Sequence, residues 1–150
     1  MQRTLILLKP DCVQRRLVGA VIQRFERKGL RLVGMKLLHA SRDLAEKHYA
    51  VHKGKSFYDS LLKFILAGPT VAMVWEGREA VAVARTLMGP TDGAKAPPAT
   101  IRGDFAISVQ NNLVHGSDSP ENAATEIALW FRPEELVDYP MVDAPWLAGS

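Results

Sequence analysis

Apolar and polar positions alternate, cluster and repeat along this chain in a way that divides it into short elements. "RTLILLK" (Arg3 to Lys9) is an apolar run closed by Pro10-Asp11, and it reads as a strand entering a turn. Val18, Val21, Ile22 and Phe25 recur at i, i+3, i+4 and i+7 with charges among and after them, so the spacing predicts an amphipathic helix stopped by Gly29. "LRLVGMKLL" follows as a strand that should place Val33, Met35 and Leu37 on one face. Asp43 is a candidate cap for a short helix through Tyr49, and Leu61, Leu62 and Ile65 give "YDSLLKFIL" helical spacing.

"TVAMVW" (Thr70 to Trp75) is continuously apolar and rich in β-branched residues, as in a central strand covered on both faces. Ala80, Val81, Ala84, Leu87 and Met88 make the next helical stripe, which Gly89-Pro90 ends. "GPTDGAKAPP" then reads as a loop, and loops of that length are often functional. "FAISV" (Phe105 to Val109) reads as the fourth strand. Ala123, Ala124, Ile127, Ala128 and Phe131 form the core face of a last long helix. Without the short extra helices the order is β-α-β-β-α-β. This implies an α+β, ferredoxin-like architecture with a four-stranded antiparallel sheet covered by helices. One domain is expected over residues 1–150. From about residue 133 an extended tail carries Pro133, Pro140 and Pro145, has too little periodicity to fold alone, and is expected to pack on a neighbouring subunit.

Composition narrows the picture only modestly. The 150 residues suit one well-buried core, and 47% hydrophobic with 23% charged residues is ordinary for a globular protein. The single cysteine, Cys12, rules out an intramolecular disulfide and favours a reducing compartment. The first apolar stretch is too short for a secretory signal, and Gly68-Pro69 interrupts the longest one, so a cytoplasmic protein without a membrane span is expected. The net charge of +3 is compatible with an ordinary surface or with an anionic ligand.

Candidate chemistry concentrates near the last helix. "HKGKS" matches half of a P-loop, but Tyr49 stands where its first glycine belongs, and no G-x-G-x-x-G occurs. His48 and His52 have a zinc-ligand spacing with no obvious further ligands, and they read as solvated helix histidines. His115, in "NLVHGSDS", should lie in a turn after "FAISV", four residues before a Ser119-Pro120 cap and first-turn pair. Gly116 would leave room for a group to approach the imidazole. Glu126, one turn into the helix, could hold one ring nitrogen and leave the other as a nucleophile. From local sequence a polar turn histidine and a nucleophile both stay open. Lys9, Arg85, Thr91 and Arg102 sit at element ends or off apolar stripes, where sites on a rigid scaffold are built. Two arginines suit a polyphosphate, since each guanidinium can fork onto two oxygens. A nucleic-acid-binding module is the competing class, motivated by the basic charge and the topology. It lacks an aromatic run on a strand, so nucleic acid is not expected as the main ligand.

"KPD", "RFERKG", "HY", "GPTVAMVWEG", "TIRGDF", "NLVHGSDS" and "LWFRPEELVDY" closely resemble the nucleoside diphosphate kinase family, with family spacing from Arg3 to about Trp146. The resemblance implies transfer of the terminal phosphate of a nucleoside triphosphate, usually ATP, to a nucleoside diphosphate. It implies a ping-pong reaction through a phosphohistidine, with Mg2+, maintaining nucleotide pools. It makes His115 the nucleophile, oriented by Glu126 and Ser117. Arg85, Thr91 and Arg102 would hold phosphates, and Lys9 and Asn112 the ribose hydroxyls. Lys9 would also reach the transferred phosphoryl group, assisted by Tyr49. Phe57 would stack on the base, with Leu61 beside it and Val109 opposite. Mg2+ would be held mainly by the nucleotide phosphates, with Asp118 contacting it through water. A homotetramer or homohexamer is implied. The chain departs from the common pattern at Cys12, Ser56, Asp92, Gly93, Ala99 and Gln110, which bears on loop rigidity, base preference and subunit contacts.

Overall fold

The computed structural model describes residues 1–147. Strand β1 (Gln2–Leu8) leads into a short helix α1 (Pro10–Gln14) and helix α2 (Val18–Lys28). Gly29 ends α2 in a left-handed conformation at φ 100°, which glycine adopts without a Cβ penalty. Strand β2 (Arg31–Leu38) follows, then α3 (Arg42–His48), a single tight turn at Ala50–His52, and α4 (Tyr58–Leu66). Strand β3 (Thr70–Gly77) and helix α5 (Ala80–Met88) precede a long connection holding α6 (Ile101–Phe105). Strand β4 (Val114–Gly116), α7 (Pro120–Trp130), a turn at Pro133–Glu135 and the short α8 (Ala144–Leu147) complete the chain.

The sheet runs in the order β2-β3-β1-β4, and every pair is antiparallel. The α+β ferredoxin-like expectation therefore holds. The central strands β1 and β3 are buried on both faces. Ile6, Leu8, Met73 and Trp75 face one core with Phe25 of α2 and Met88 of α5. Leu5, Leu7, Ala72 and Val74 face the other with Ile127, Trp130 and Phe131 from α7 and its C-terminal end. Each such large apolar side chain removed from water contributes roughly 1.5–3 kcal/mol. A smaller cluster of Ala45, Leu62 and Ile65 joins α3 to α4.

Several sequence expectations are corrected. "FAISV" is not a strand: Phe105 ends α6, and Ile107 and Val109 point to solvent. The Thr100 side chain accepts a hydrogen bond from Gly103 N at 2.9 Å, and this cap starts a helix inside "TIRGDF". The fourth strand is instead Val114–Gly116, whose three residues are too few to show a period. Val33, Met35 and Leu37 do not share a buried face, because β2 is irregular between Leu32 and Gly34. Val33 is buried, while Met35 and Leu37 are 53% and 66% exposed. Ser41, not Asp43, caps α3 by accepting from Leu44 N. The tail packs on its own chain at residues 137–139 and again at Leu147, whose side chain lies against Gly29. Val137 N donates to Val33 O, the Tyr139 hydroxyl donates to Leu32 O, and Arg31 bonds Asp138 and lies over the Tyr139 ring. The tail's last residues, 148–150, lie outside the described residues. Among the described residues no helix is long and apolar enough to cross a membrane.

Candidate active site

Because β4 pairs with β1, His115 stands opposite Leu7 in the register, and cross-strand partners share a face. That face is the one covered by α7 and α3, so the imidazole meets residues from both helices. Gly116 lies on the opposite face, and a Cβ there would meet Met88 Sδ at 2.6 Å and Ile6 Cδ1 at 3.1 Å. The glycine is therefore required by core packing, while it also lines the cleft beside His115.

The strand's entry is strained. Leu113 has φ 73° without being glycine, and its side chain is fully buried. Its N–H donates to Asp11 Oδ2 at 3.1 Å, and its carbonyl accepts from Lys9 N at 2.8 Å. This doubly held residue fixes Asn112 beside Lys9, whose ammonium donates to Asn112 Oδ1. Asn112 Nδ2 in turn donates to Thr91 O at 3.0 Å.

His115 Nε2 lies 3.0 Å from Glu126 Oε2, and the Ser117 hydroxyl donates to Glu126 Oε1 at 2.6 Å. Ser119 caps α7 through Asn122 N at 3.1 Å, with Pro120 in the first turn, which is how "SDSPENAATE" brings Glu126 to this place. Burial alone would raise the Glu126 carboxyl. The hydrogen bonds and charge of His115, the Ser117 hydroxyl and His48 outweigh it and hold the group below the ordinary carboxylate range. An ionised carboxylate only accepts, so His115 Nε2 donates to it, and in a neutral imidazole that tautomer puts the lone pair on Nδ1.

A cleft of about 600 Å³ opens over His115. Every residue expected at the site lines it except Ser117 and Val109. Ser117 is buried beneath Glu126, and Val109 is 56% exposed outside the cleft. Lys9, Arg85 and Arg102 are cations of the cleft, with Lys47 at its rim paired to Asp43. Arg102 is largely committed to backbone: Nε to Asn112 O at 3.3 Å, Nη1 to Gly89 O at 2.9 Å and Nη2 to Val114 O at 2.7 Å. Of five N–H donors two remain for a ligand. Burial, and the charge of Arg85, push its pKa down to about 10, which leaves it cationic at neutral pH. Burial pushes Lys9 down to about 8; Asp11 opposes this and Arg102 adds to it. Burial, with Glu126, pushes the Tyr49 phenol up to about 12, so it stays a hydrogen-bond donor. At the mouth Phe57 is 46% exposed with Lys55 over its ring, and Leu61 lies in the same wall. Gln110 Nε2 donates to Ser60 Oγ at 3.2 Å, tying the loop after α6 to α4.

His48 was read from the sequence as solvated, and this is corrected: its side chain is 1% exposed and packs edge-on against His115 at 4.6 Å. His52 is half-buried, with an Nδ1 that has no hydrogen-bond partner among the described residues. His48 is the residue that sequence reasoning missed. Its signals in the sequence were its place beside Tyr49 and the "HY" pair shared with the family.

The family model for nucleoside diphosphate kinase matches residues 2–136. A nucleoside diphosphate kinase of Carboxydothermus hydrogenoformans is 57% identical over 147 residues, covering 98% of this chain and 99% of that one. One from Thermomicrobium roseum is 54% identical over 149 residues, covering 99% of this chain and all of that one. Among solved structures, a halophilic nucleoside diphosphate kinase from Halobacterium salinarum in complex with CDP superposes with a TM-score of 0.95 at 46% identity, covering 97% of each chain. Coverage of nearly the whole chain at these identities, on the fold and cleft described, leads to one conclusion: the chain belongs to the nucleoside diphosphate kinase family.

Proposed function

We propose that the nucleoside diphosphate kinase activity of this chain runs through His115 as a phosphorylated intermediate, by a ping-pong mechanism. The observation that carries the reading is the Glu126–His115 pair, which keeps the proton on Nε2 and a lone pair on Nδ1 beside a cationic cleft. Nδ1 attacks the γ-phosphorus of a nucleoside triphosphate, usually ATP, and the bond to the bridging oxygen breaks. The electron pair leaves with the diphosphate. A second diphosphate in the same cleft then attacks phosphorus through a terminal oxygen, and the N–P bond returns its electrons to Nδ1. Well-oriented reactants gain on the order of 7–11 kcal/mol from alignment, and Glu126 with Ser117 supplies that alignment to the nucleophile.

Arg85, Arg102 and Thr91 would hold phosphate oxygens. Lys9 and Asn112 would hold the ribose hydroxyls. Lys9 would also meet the phosphoryl group in flight, with the Tyr49 hydroxyl assisting. Phe57 and Leu61 would take the base by stacking and contact, without reading its edge. Val109 would need the loop after α6 to move inward to close the other side.

Enzymes of this family use a divalent metal. The carboxylates lining the cleft are Asp118 and Glu126. Both Glu126 oxygens are engaged by His115 and Ser117, and Asp118 Oδ1 accepts from Asn122 Nδ2. The donor set therefore fits Mg2+ carried mainly by the nucleotide phosphates, with Asp118 contacting it through water. When bound, the ion would neutralise phosphate charge. A homotetramer or homohexamer in the cytoplasm is the expected setting.

Incubation with γ-labelled ATP tests the reading. Label should enter the protein, stable to alkali and lost in acid, and His115→Ala should abolish it. Persistent labelling of that variant would overturn His115 as the nucleophile.

A further inference from the structure

His48 has no part in the steps above, although three aromatic rings enclose it. It ends α3 and meets His115 of β4 edge-on at 4.6 Å and 80°, Trp130 of α7 at 5.4 Å and 87°, and its neighbour Tyr49 at 4.7 Å. The Trp130 Nε1–H donates to His48 Nδ1 at 3.1 Å. An indole nitrogen can only donate, so Nδ1 must accept. His48 is thereby a neutral imidazole with its proton on Nε2. A cationic ring would set N–H against N–H.

The charged and titratable groups around it favour the same state on balance. Burial is the largest effect. His115 lowers the pKa, Glu126 raises it, and His52 and Lys9 lower it further, to about 3. Glu126 Oε2 lies 4.0 Å from His48 Nδ1 and 3.0 Å from His115 Nε2. A cationic His48 would thus compete with His115 for its orienting carboxylate. Donor atoms of His48, His115 and Glu126 fall within 4.8 Å of one another, which is close enough to suggest a metal site. However, Trp130 takes the His48 lone pair at Nδ1, and the His115 N–H takes one Glu126 oxygen. The cluster is a hydrogen-bonded chain, not an open ligand set.

We propose that His48 is a positioning residue for the nucleophile: a permanently neutral ring, its tautomer fixed by Trp130, that holds the His115 imidazole with Nε2 on Glu126 and Nδ1 toward the cleft. This rests on His115 being the nucleophile. Nitrogen NMR of the unaltered protein should show His48 as the neutral Nε2–H form from about pH 8 to about pH 5. His48→Ala should lower kcat about tenfold with KM little changed. His48→Phe, a neutral ring without the Trp130 acceptor, should keep most of kcat at a lower melting temperature. Trp130→Phe frees Nδ1 to take a proton, so the acid limb of its kcat profile should move to higher pH. His48 gaining a proton within that range in the unaltered protein would overturn the proposal. So would parental kcat in His48→Ala together with a parental pH profile in Trp130→Phe. Labelling of His115→Ala separates the two readings: label retained there sinks the nucleophile, whereas label lost there with unchanged His48 and Trp130 variants sinks only the positioning role.

Discussion

Ala99 is held at φ 77°, with its N–H on Asp104 Oδ1 and its carbonyl accepting from Arg24. A left-handed alanine costs about 1–2 kcal/mol, part of which glycine would forfeit through its freer unfolded chain. Ala99→Gly should therefore stabilise the protein by about 1 kcal/mol and raise the melting temperature by about 2–4 °C. A lower melting temperature would refute this. Lys9 gives a pH prediction at the same scale. Its pKa of about 8 lies below the free value of 10.5, so near pH 8 much of the free protein carries it neutral. Phosphate favours the charged form and raises that pKa, so binding should take up a proton through Lys9 at about pH 8.5, where the phosphates are fully ionised. Titration calorimetry of a nucleoside diphosphate in buffers of different ionisation enthalpy should show this uptake, and Lys9→Arg should remove it. Heats independent of the buffer at the higher pH would contradict the assignment.

Among the elements, α7 has the clearest link between cap and chemistry. Ser119 satisfies Asn122 N at its start, and Glu126 and Trp130 stand on its inner face. Ser119→Ala should cost about 1 kcal/mol, a fall of about 2–4 °C in melting temperature, while Ser119→Thr keeps most of it. Equal melting of all three proteins would show that the cap is not used. The cap and the proline of α7 were legible because they are local; of its expected stripe Ala123, Ile127 and Phe131 are buried, but Ala124 and Ala128 are exposed and Trp130 turns inward instead. "FAISV" misled because apolar composition resembles a strand. The Thr100 cap instead starts α6, and only pairing with β1 shows that Val114–Gly116 is the fourth strand.

Across the whole molecule, β2 is an edge of the sheet, and Met35 and Leu37 on it are more than half exposed. Beyond Tyr139 the tail also exposes Val142 at 98% and Trp146 at 87%. The tail covers this edge near Leu32 and Val33, and the apolar side chains left exposed beyond it are a surface suited to another chain, in line with the proposed homo-oligomer. Light scattering should give a multiple of the 16.6 kDa chain mass, and Met35→Lys with Leu37→Lys should shift it downward. A monomeric parent protein would remove the expectation.

Read alone, the sequence specified what is periodic or local: the buried strands β1 and β3, the stripes of α2 and α5, the Gly29 stop and the Ser119-Pro120 start. It also placed His115 within reach of Glu126, because eleven positions of chain separate them across a single turn. The tertiary structure decided what depends on contacts far apart in sequence. His48 is buried because α3 folds onto α7, 82 positions away at Trp130. Gly116 is small because Met88 and Ile6 fill the space beside it, and Arg102 is half committed to carbonyls of the chain that returns past it. Hydrophobic period encodes which face of an element turns inward. It carries no record of which other element will meet that face, and here that meeting makes the cleft.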